Sequence, residues 1–290
     1  MGMQTSRKAM TRMMPWIVGL FLAGCHSSDN RVGVDDIQVS YQIQGEGYPL
    51  IMIMGYSGTK DMWDPNVIKA LAEHYQVITF DNRGMGDTSA GTRAFSIEQF
   101  ADDTAGLMDA LSIPQAHVLA WSMGTEIAFE LVLRHPEKVN KLVQYAADCD
   151  IHMFPPAAEV LAIMTDTSGT PEERNQRMLS IMYPADWLKN NWEYIRQVYA
   201  QVTEVSLPEN IQKQNQAMDR WGGCTQRLKD IHKPVLLITG TEDVLTPPQN
   251  SYFLVQHLPN SRLVTFEHGG HGAMNQFPAE FATAVINFVL

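Results

Sequence analysis

The chain has 290 residues, a formal net charge of −11 and a hydrophobic fraction of 45%. An acidic surface of this kind repels nucleic acid and anionic headgroups, so it excludes a nucleic-acid partner and a basic membrane-binding patch. The length beyond the leader described next suits one sizeable domain with room for an insertion.

Residues 1–24 carry Arg7, Lys8 and Arg12 and no acid, followed by the apolar run Pro15–Ala23. That run is about half of the roughly 20 residues a bilayer span needs, so it reads as a secretory leader. Its end, Leu22-Ala23-Gly24-Cys25, resembles the bacterial lipobox. The resemblance implies cleavage before Cys25 and a palmitate-type lipid on that cysteine. It also implies attachment to the membrane through this lipid, at the outer membrane facing the periplasm because His26 and not Asp follows the cysteine. The pattern Met1-Gly2…Ser6 also fits myristoylation, which a basic and apolar leader displaces. The chain from Cys25 onward would carry a charge of −14, and residues 25–36 read as a tether. Export leaves Cys149 and Cys224 as a candidate disulfide.

Ile37, Val39, Tyr41 and Ile43 alternate with polar residues, which predicts a half-buried strand. Leu50–Met54 and Gln76–Phe80 are continuous apolar runs, as buried central strands require, with a helix over Pro65–Glu73 between them. Ser96 and Gln99 read as a capping box before the helical spacing of Ile97, Phe100, Ala101, Thr104, Leu107, Met108 and Leu111. The strand His117–Ala120 then runs into Trp121-Ser122-Met123-Gly124 and a helix over Glu126–Arg134, and a further strand spans Lys141–Ala146. Ser122 is either the apex of a strained strand–turn–helix or a helix N-cap. Residues 151–230 contain five prolines and many Met and aromatic side chains but no convincing strand. Strands resume at Val235–Thr239 and Arg262–Phe266, and a helix over Pro278–Val289 closes the chain.

Alternating strands and helices predict an α/β fold: a mostly parallel, doubly wound sheet with an inserted helical cap. Its core spans 37–150 and 231–290, and its cap 151–230. In such sheets function gathers at the carboxyl ends of strands. Four ends bear suggestive residues: Gly55-Tyr56-Ser57-Gly58, Ser122, Gly240-Thr241-Glu242-Asp243, and Glu267-His268-Gly269-Gly270-His271. The order is serine, acid, histidine.

On the stretches 81–89 (DNRGMGDTS), 120–124 (AWSMG), 240–247 (GTEDVLTP) and 269–272 (GGHG), the chain resembles the cap-bearing members of the α/β-hydrolase superfamily. The resemblance covers about residues 31 to 290. It departs at Ala120, where the family has glycine, and at Met54-Gly55, where the family has His-Gly, so the bracing of the oxyanion loop is left open. It implies Ser122 as nucleophile, His271 as base, Asp243 as acid, and the N–H groups of Tyr56 and Met123 as the oxyanion hole. It implies no metal or organic cofactor, and the Met and aromatic content of the cap, with Tyr56, Trp121 and Met123 around the serine, predicts a small apolar acyl substrate. A carboxylic ester hydrolase is the first reading. A perhydrolase, C–C hydrolase or lactonase uses the same residues, and a non-catalytic ligand-binding lipoprotein is the alternative from another class. For a carboxylated lactone, Arg83 or Arg220 would supply the counter-charge. A serine at 122 argues against haloalkane dehalogenase and epoxide hydrolase chemistry, which needs Asp there.

The rivals within the motifs are His268 for the base and Asp148, Asp150 or Glu242 for the acid. The pair Gly269-Gly270 suits a tight turn that presents His271. Asp87 is expected to hydrogen-bond its own glycine-rich loop, and Glu126 to stabilise a helix dipole. The oligomeric state is not legible.

Overall fold

The computed structural model describes residues 30–290 apart from Ile151 and Thr167. The leader and Cys25 therefore lie outside the described residues. Strands β1 (Asn30–Val34), β2 (Ile37–Gln44), β3 (Tyr48–Ile53), β4 (Tyr75–Phe80), β5 (Ala116–Trp121), β6 (Val139–Tyr145), β7 (Val235–Gly240) and β8 (Ser261–Phe266) form one sheet. Its order is β1-β2-β4-β3-β5-β6-β7-β8. The pairs β1–β2 and β2–β4 are antiparallel, and every later pair is parallel. The helices are α1 (Pro65–Ala72), α2 (Ile97–Ala110), α3 (Met123–Arg134), α4 (Ala158–Thr165), α5 (Pro171–Met182), α6 (Ala185–Tyr199), α7 (Pro208–Arg220), α8 (Gln249–His257), α9 (Ala273–Gln276) and α10 (Pro278–Val289).

The central strands are apolar on both faces because helices cover both. Ile51, Ile53, Val118 and Ala120 face α2 and α3, packing on Phe100, Leu107, Ile127 and Leu131. Their neighbours Leu50, Met52, Leu119 and Trp121 face the other way, onto Val67 and Leu71 of α1 and Phe281 and Val285 of α10. Local chemistry sets the helix starts. Asp64 caps α1 by accepting from Asn66 N and Val67 N, with Pro65 in the first turn. Ser96 accepts from Gln99 N at 3.1 Å, but the Gln99 amide turns to Asp103, so only half of the expected capping box forms.

Two expectations are corrected. Residues 30–34, read as tether, form the edge strand β1, paired along its whole length with β2. The disulfide expected between Cys149 and Cys224 is absent: both are buried free thiols, although Cys224 N donates to Cys149 O at 2.9 Å.

Between β6 and β7 the chain carries α4 to α7 and, among the described residues, no strand. This helical segment has a small core of its own, Leu179, Tyr183 and Ile195. It is tied to the sheet domain through polar anchors. Tyr183 Oη donates to Asn275 Oδ1 at 2.7 Å, and Asp64 Oδ2 accepts from both Asn275 Nδ2 and Tyr194 Oη. Farther round, the buried Lys60 ammonium bonds Asp81 at 3.0 Å and also Glu204, on the segment joining α6 to α7.

Candidate active site

Ser122 joins β5 to α3 with φ 56° and ψ −129°. A non-glycine residue in this region is strained by about 1–3 kcal/mol and persists only when its surroundings hold it there. Here Ser122 N donates to Tyr145 O of β6 at 2.9 Å, and Thr125 Oγ1 donates to Ser122 O at 2.7 Å. The residue occupies the N-cap position of α3, yet its side chain makes no capping hydrogen bond. The hydroxyl is therefore not spent on the helix. Gly124 is required by close approach, since a Cβ there would lie 2.4 Å from Ile53 O.

His271 and Asp243 come from the loops after β8 and β7. His271 Nδ1 and Asp243 Oδ2 are 2.9 Å apart, both side chains being buried. The other carboxylate oxygen accepts from Leu245 N and Thr246 N at 2.9 and 2.8 Å, which fixes the acid's orientation. Tyr145 Oη donates to His271 O, and the Trp121 ring lies 5.6 Å from the imidazole. His268 is exposed and bonded to Glu242, and neither of these two rivals lines the cavity that holds Ser122. The glycines before His271 act differently from the expectation. The positive φ of this loop is at His268, whereas Gly269 and Gly270 admit the backbones of Gly240 and Met182.

The loop after β3 lies against the serine: a Cβ on Gly55 would come within 3.0 Å of Ser122 Cβ. The bracing that the missing His-Gly left open is supplied by two amides. Asn82 Nδ2 donates to Met54 O at 2.9 Å, and Gln214 Oε1 accepts from Ser57 N at 2.6 Å, with Ser57 at φ 56°. Tyr56, half-buried, has its phenol pKa raised by burial and by the charge of Asp219. Met123 starts α3, so its N–H lies among the unpaired donors at the positive end of that helix.

Ser122, His271, Tyr56 and Met123 line a cavity of about 590 Å³. Its wall is rich in Met and aromatic side chains: Met54, Met62, Trp121, Met164, Met178 and Met218 contribute. Of the helical segment's aromatics, Phe154 and Tyr199 reach it, while Trp187, Trp192 and Trp221 do not. No Lys or Arg side chain lines it among the described residues. Arg83 is instead locked between Asp103 and Asp36, and Arg220 is not part of the wall.

Two acids depart from their expected roles. Asp87 is an exposed partner of Arg31, and the loop it was to hold is held by Asp81, which accepts from Asp87 N. Glu126 stands in the first turn of α3 as expected, but as a fully buried carboxyl in the cavity wall with neither oxygen hydrogen-bonded. Burial, with the nearby Asp148, raises its pKa well above the usual range. Asp148 lines the same cavity with Oδ1 unpartnered, and burial pushes it up to about 7. Leaving a buried polar group without a partner costs about 1–3 kcal/mol.

With this geometry in view, residues 48–179 and 174–277 match the alpha/beta hydrolase fold family. The chain belongs to that family. It is 30% identical over 244 residues to a Caulobacter sp. (strain K31) protein named "Putative carbamate hydrolase RutD", covering 83% of this chain and 90% of that one. A protein of the same name from Azorhizobium caulinodans is 29% identical over 256 residues, covering 87% and 95%. Among solved structures, the alpha/beta hydrolase fold protein from Chitinophaga pinensis matches with a TM-score of 0.77 at 25% identity, over 90% of this chain and 96% of that chain. The enol-lactonase from Burkholderia xenovorans LB400 reaches a TM-score of 0.77 at 21% identity, over 90% and 99%, a likeness of fold alone.

Proposed function

We propose that the protein is a serine hydrolase that cleaves a carboxylic ester, or a related acyl substrate, through an acyl-enzyme. Ser122 Oγ attacks the carbonyl carbon while His271 Nε2 takes its proton. The tetrahedral oxyanion is met by the N–H groups of Met123 and Tyr56, each worth about 3–4 kcal/mol of barrier in sites of this kind. The leaving oxygen departs with the proton from His271. Water then attacks the acyl carbon, giving a proton to His271, and the bond from that carbon to Ser122 Oγ breaks as His271 returns the proton to Oγ and the acid leaves. Asp243 holds the tautomer in which Nδ1 carries the hydrogen and stabilises the imidazolium.

The observation that carries this reading is the shared cavity: a strained serine free of capping duty, and an imidazole whose far nitrogen is held by a buried, orientated carboxylate. A pure binding protein has no need of that arrangement. The Met-rich wall supports an apolar acyl group, and the absence of Lys and Arg from the wall removes support for the carboxylated-lactone alternative. The test is hydrolysis of p-nitrophenyl esters of graded acyl length. Each added methylene buried should raise kcat/KM about threefold to fourfold, from about 0.8 kcal/mol apiece, until the chain outgrows the cavity. Rates flat with length, or higher for carboxylate-bearing esters, would contradict it.

We propose further that the chain is exported and anchored through lipid on Cys25. Support comes from the lipobox-like Leu22-Ala23-Gly24-Cys25 after a basic, apolar leader. None of the described helices is long and apolar enough to cross a membrane.

A further inference from the structure

The scheme above leaves two carboxyl groups of the cavity without a task. Glu126 stands in the first turn of α3, one turn beyond Ser122, and Asp148 follows β6, the strand whose Tyr145 carbonyl holds the serine backbone. Both line the cavity with Ser122 and His271. Glu126 is fully buried and both its oxygens are unpartnered, as is Asp148 Oδ1. Asp148 is close enough to add to the rise that burial gives the Glu126 pKa, while Asp148 itself feels burial, Asp150 and His271. Asp219 of α7 adds a third carboxyl to the same wall; among the described residues no Lys or Arg lines it, and its imidazoles are His152 and His271.

A fully buried carboxyl such as Glu126, with the half-buried Asp148 beside it, is costly to keep without internal partners unless something that enters the cavity completes it. An anionic substrate would face the carboxylates of Asp148 and Asp219. A purely apolar one would leave the pair unsatisfied and seal it further from water. A protonated amine brings hydrogens to the unpartnered oxygens and a positive charge that no Lys or Arg of the described wall supplies, and charge-assisted bonds in a desolvated pocket are the strong ones.

We propose that Glu126 and Asp148 form a recognition site for an ammonium group carried by the substrate, so that the natural substrate is an acyl compound with a basic nitrogen beside an apolar chain. This deepens the serine-hydrolase reading and rests on it for the word substrate. The binding claim itself is measurable without turnover.

The experiment is calorimetric titration of the protein at about pH 8 with hexylammonium, 1-hexanol and hexanoate, which share one chain and differ in the head group. Hexylammonium is expected to bind at least about tenfold tighter than hexanol, with hexanoate weakest, as opposite charge in a desolvated site requires. In Asp148→Asn and in Glu126→Gln that ratio should shrink at least about fivefold, and either variant suffices if the other does not fold. A wild-type ratio below this, hexanoate binding as tightly as hexylammonium, or a ratio unchanged in the folded variants would overturn the proposal. Labelling of Ser122 by a fluorophosphonate separates the two failures. Labelling with no ammonium preference removes this inference alone. Ammonium preference without labelling keeps the site and removes the hydrolase reading.

Discussion

Gln214 Oε1 accepts the N–H of Ser57 at 2.6 Å, so a helix of the inserted segment holds the loop that carries Tyr56. The two residues are 157 positions apart, and Gln214 is fully buried. Gln214→Leu removes the acceptor, leaves a half-buried N–H unpaired and frees the loop. The expected result is a fall in kcat of about tenfold to a hundredfold with KM changed by less than about threefold, because the loss falls on the transition-state oxyanion. An unchanged kcat would show that the loop does not depend on this amide.

Asp243→Asn tests the choice of acid. An amide at 243 can force the wrong imidazole tautomer, and in triads of this type that costs about 10⁴-fold in kcat. Circular dichroism should stay native. A loss of less than about tenfold would mean that Asp148, which lies near enough to interact with the imidazole, serves in its place.

How much of this was legible follows from what a local pattern can encode. The sheet and its helices were written in apolar periodicity, and Ser122, Asp243 and His271 were visible because each sits at a strand end among turn residues. The strand β1 was missed because Asn30-Arg31-Val32-Gly33-Val34 has little apolar content of its own and exists through pairing with β2. Gln214, Asn82 and Glu204 carry no local mark, since each acts on a partner far away in sequence. Glu126 was misread because an acid in a helix's first turn already has an ordinary explanation, and only packing shows that this one is enclosed.

The Lys60–Asp81–Glu204 cluster gives a pH dependence. Burial, foremost, and the adjacent Asp81 push Glu204 up to about 8, against the pull of Lys60. Its folded pKa thus exceeds its unfolded value of about 4.3, so the folded state binds the extra proton between them. This contribution to stability is complete below the unfolded pKa and is lost as pH rises through about 8. Glu204→Gln mimics the protonated form at every pH. At about pH 5 the two proteins should melt alike, and at about pH 9 wild type should melt about 2–4 °C lower, a modest figure because Glu204 is only partly enclosed. A constant difference across this range, or one of opposite sign, would contradict the assignment.

Lipidation has its own check. Mass spectrometry of the mature N-terminus should show a diacylglyceryl cysteine at Cys25, and Cys25→Ser should release the protein from the membrane fraction. An unmodified terminus would reject the anchor and leave the hydrolase reading untouched.

The central claim is that Ser122 is the nucleophile, and covalent labelling tests it most directly. Wild-type protein treated with a fluorophosphonate should gain one adduct, mapped by peptide mass spectrometry to Ser122. Ser122→Ala should keep the fold, take up no label and lose turnover by a factor of about 10⁶, the scale seen when a triad serine is removed. Label on another residue, or ester hydrolysis that survives in Ser122→Ala, would contradict the account.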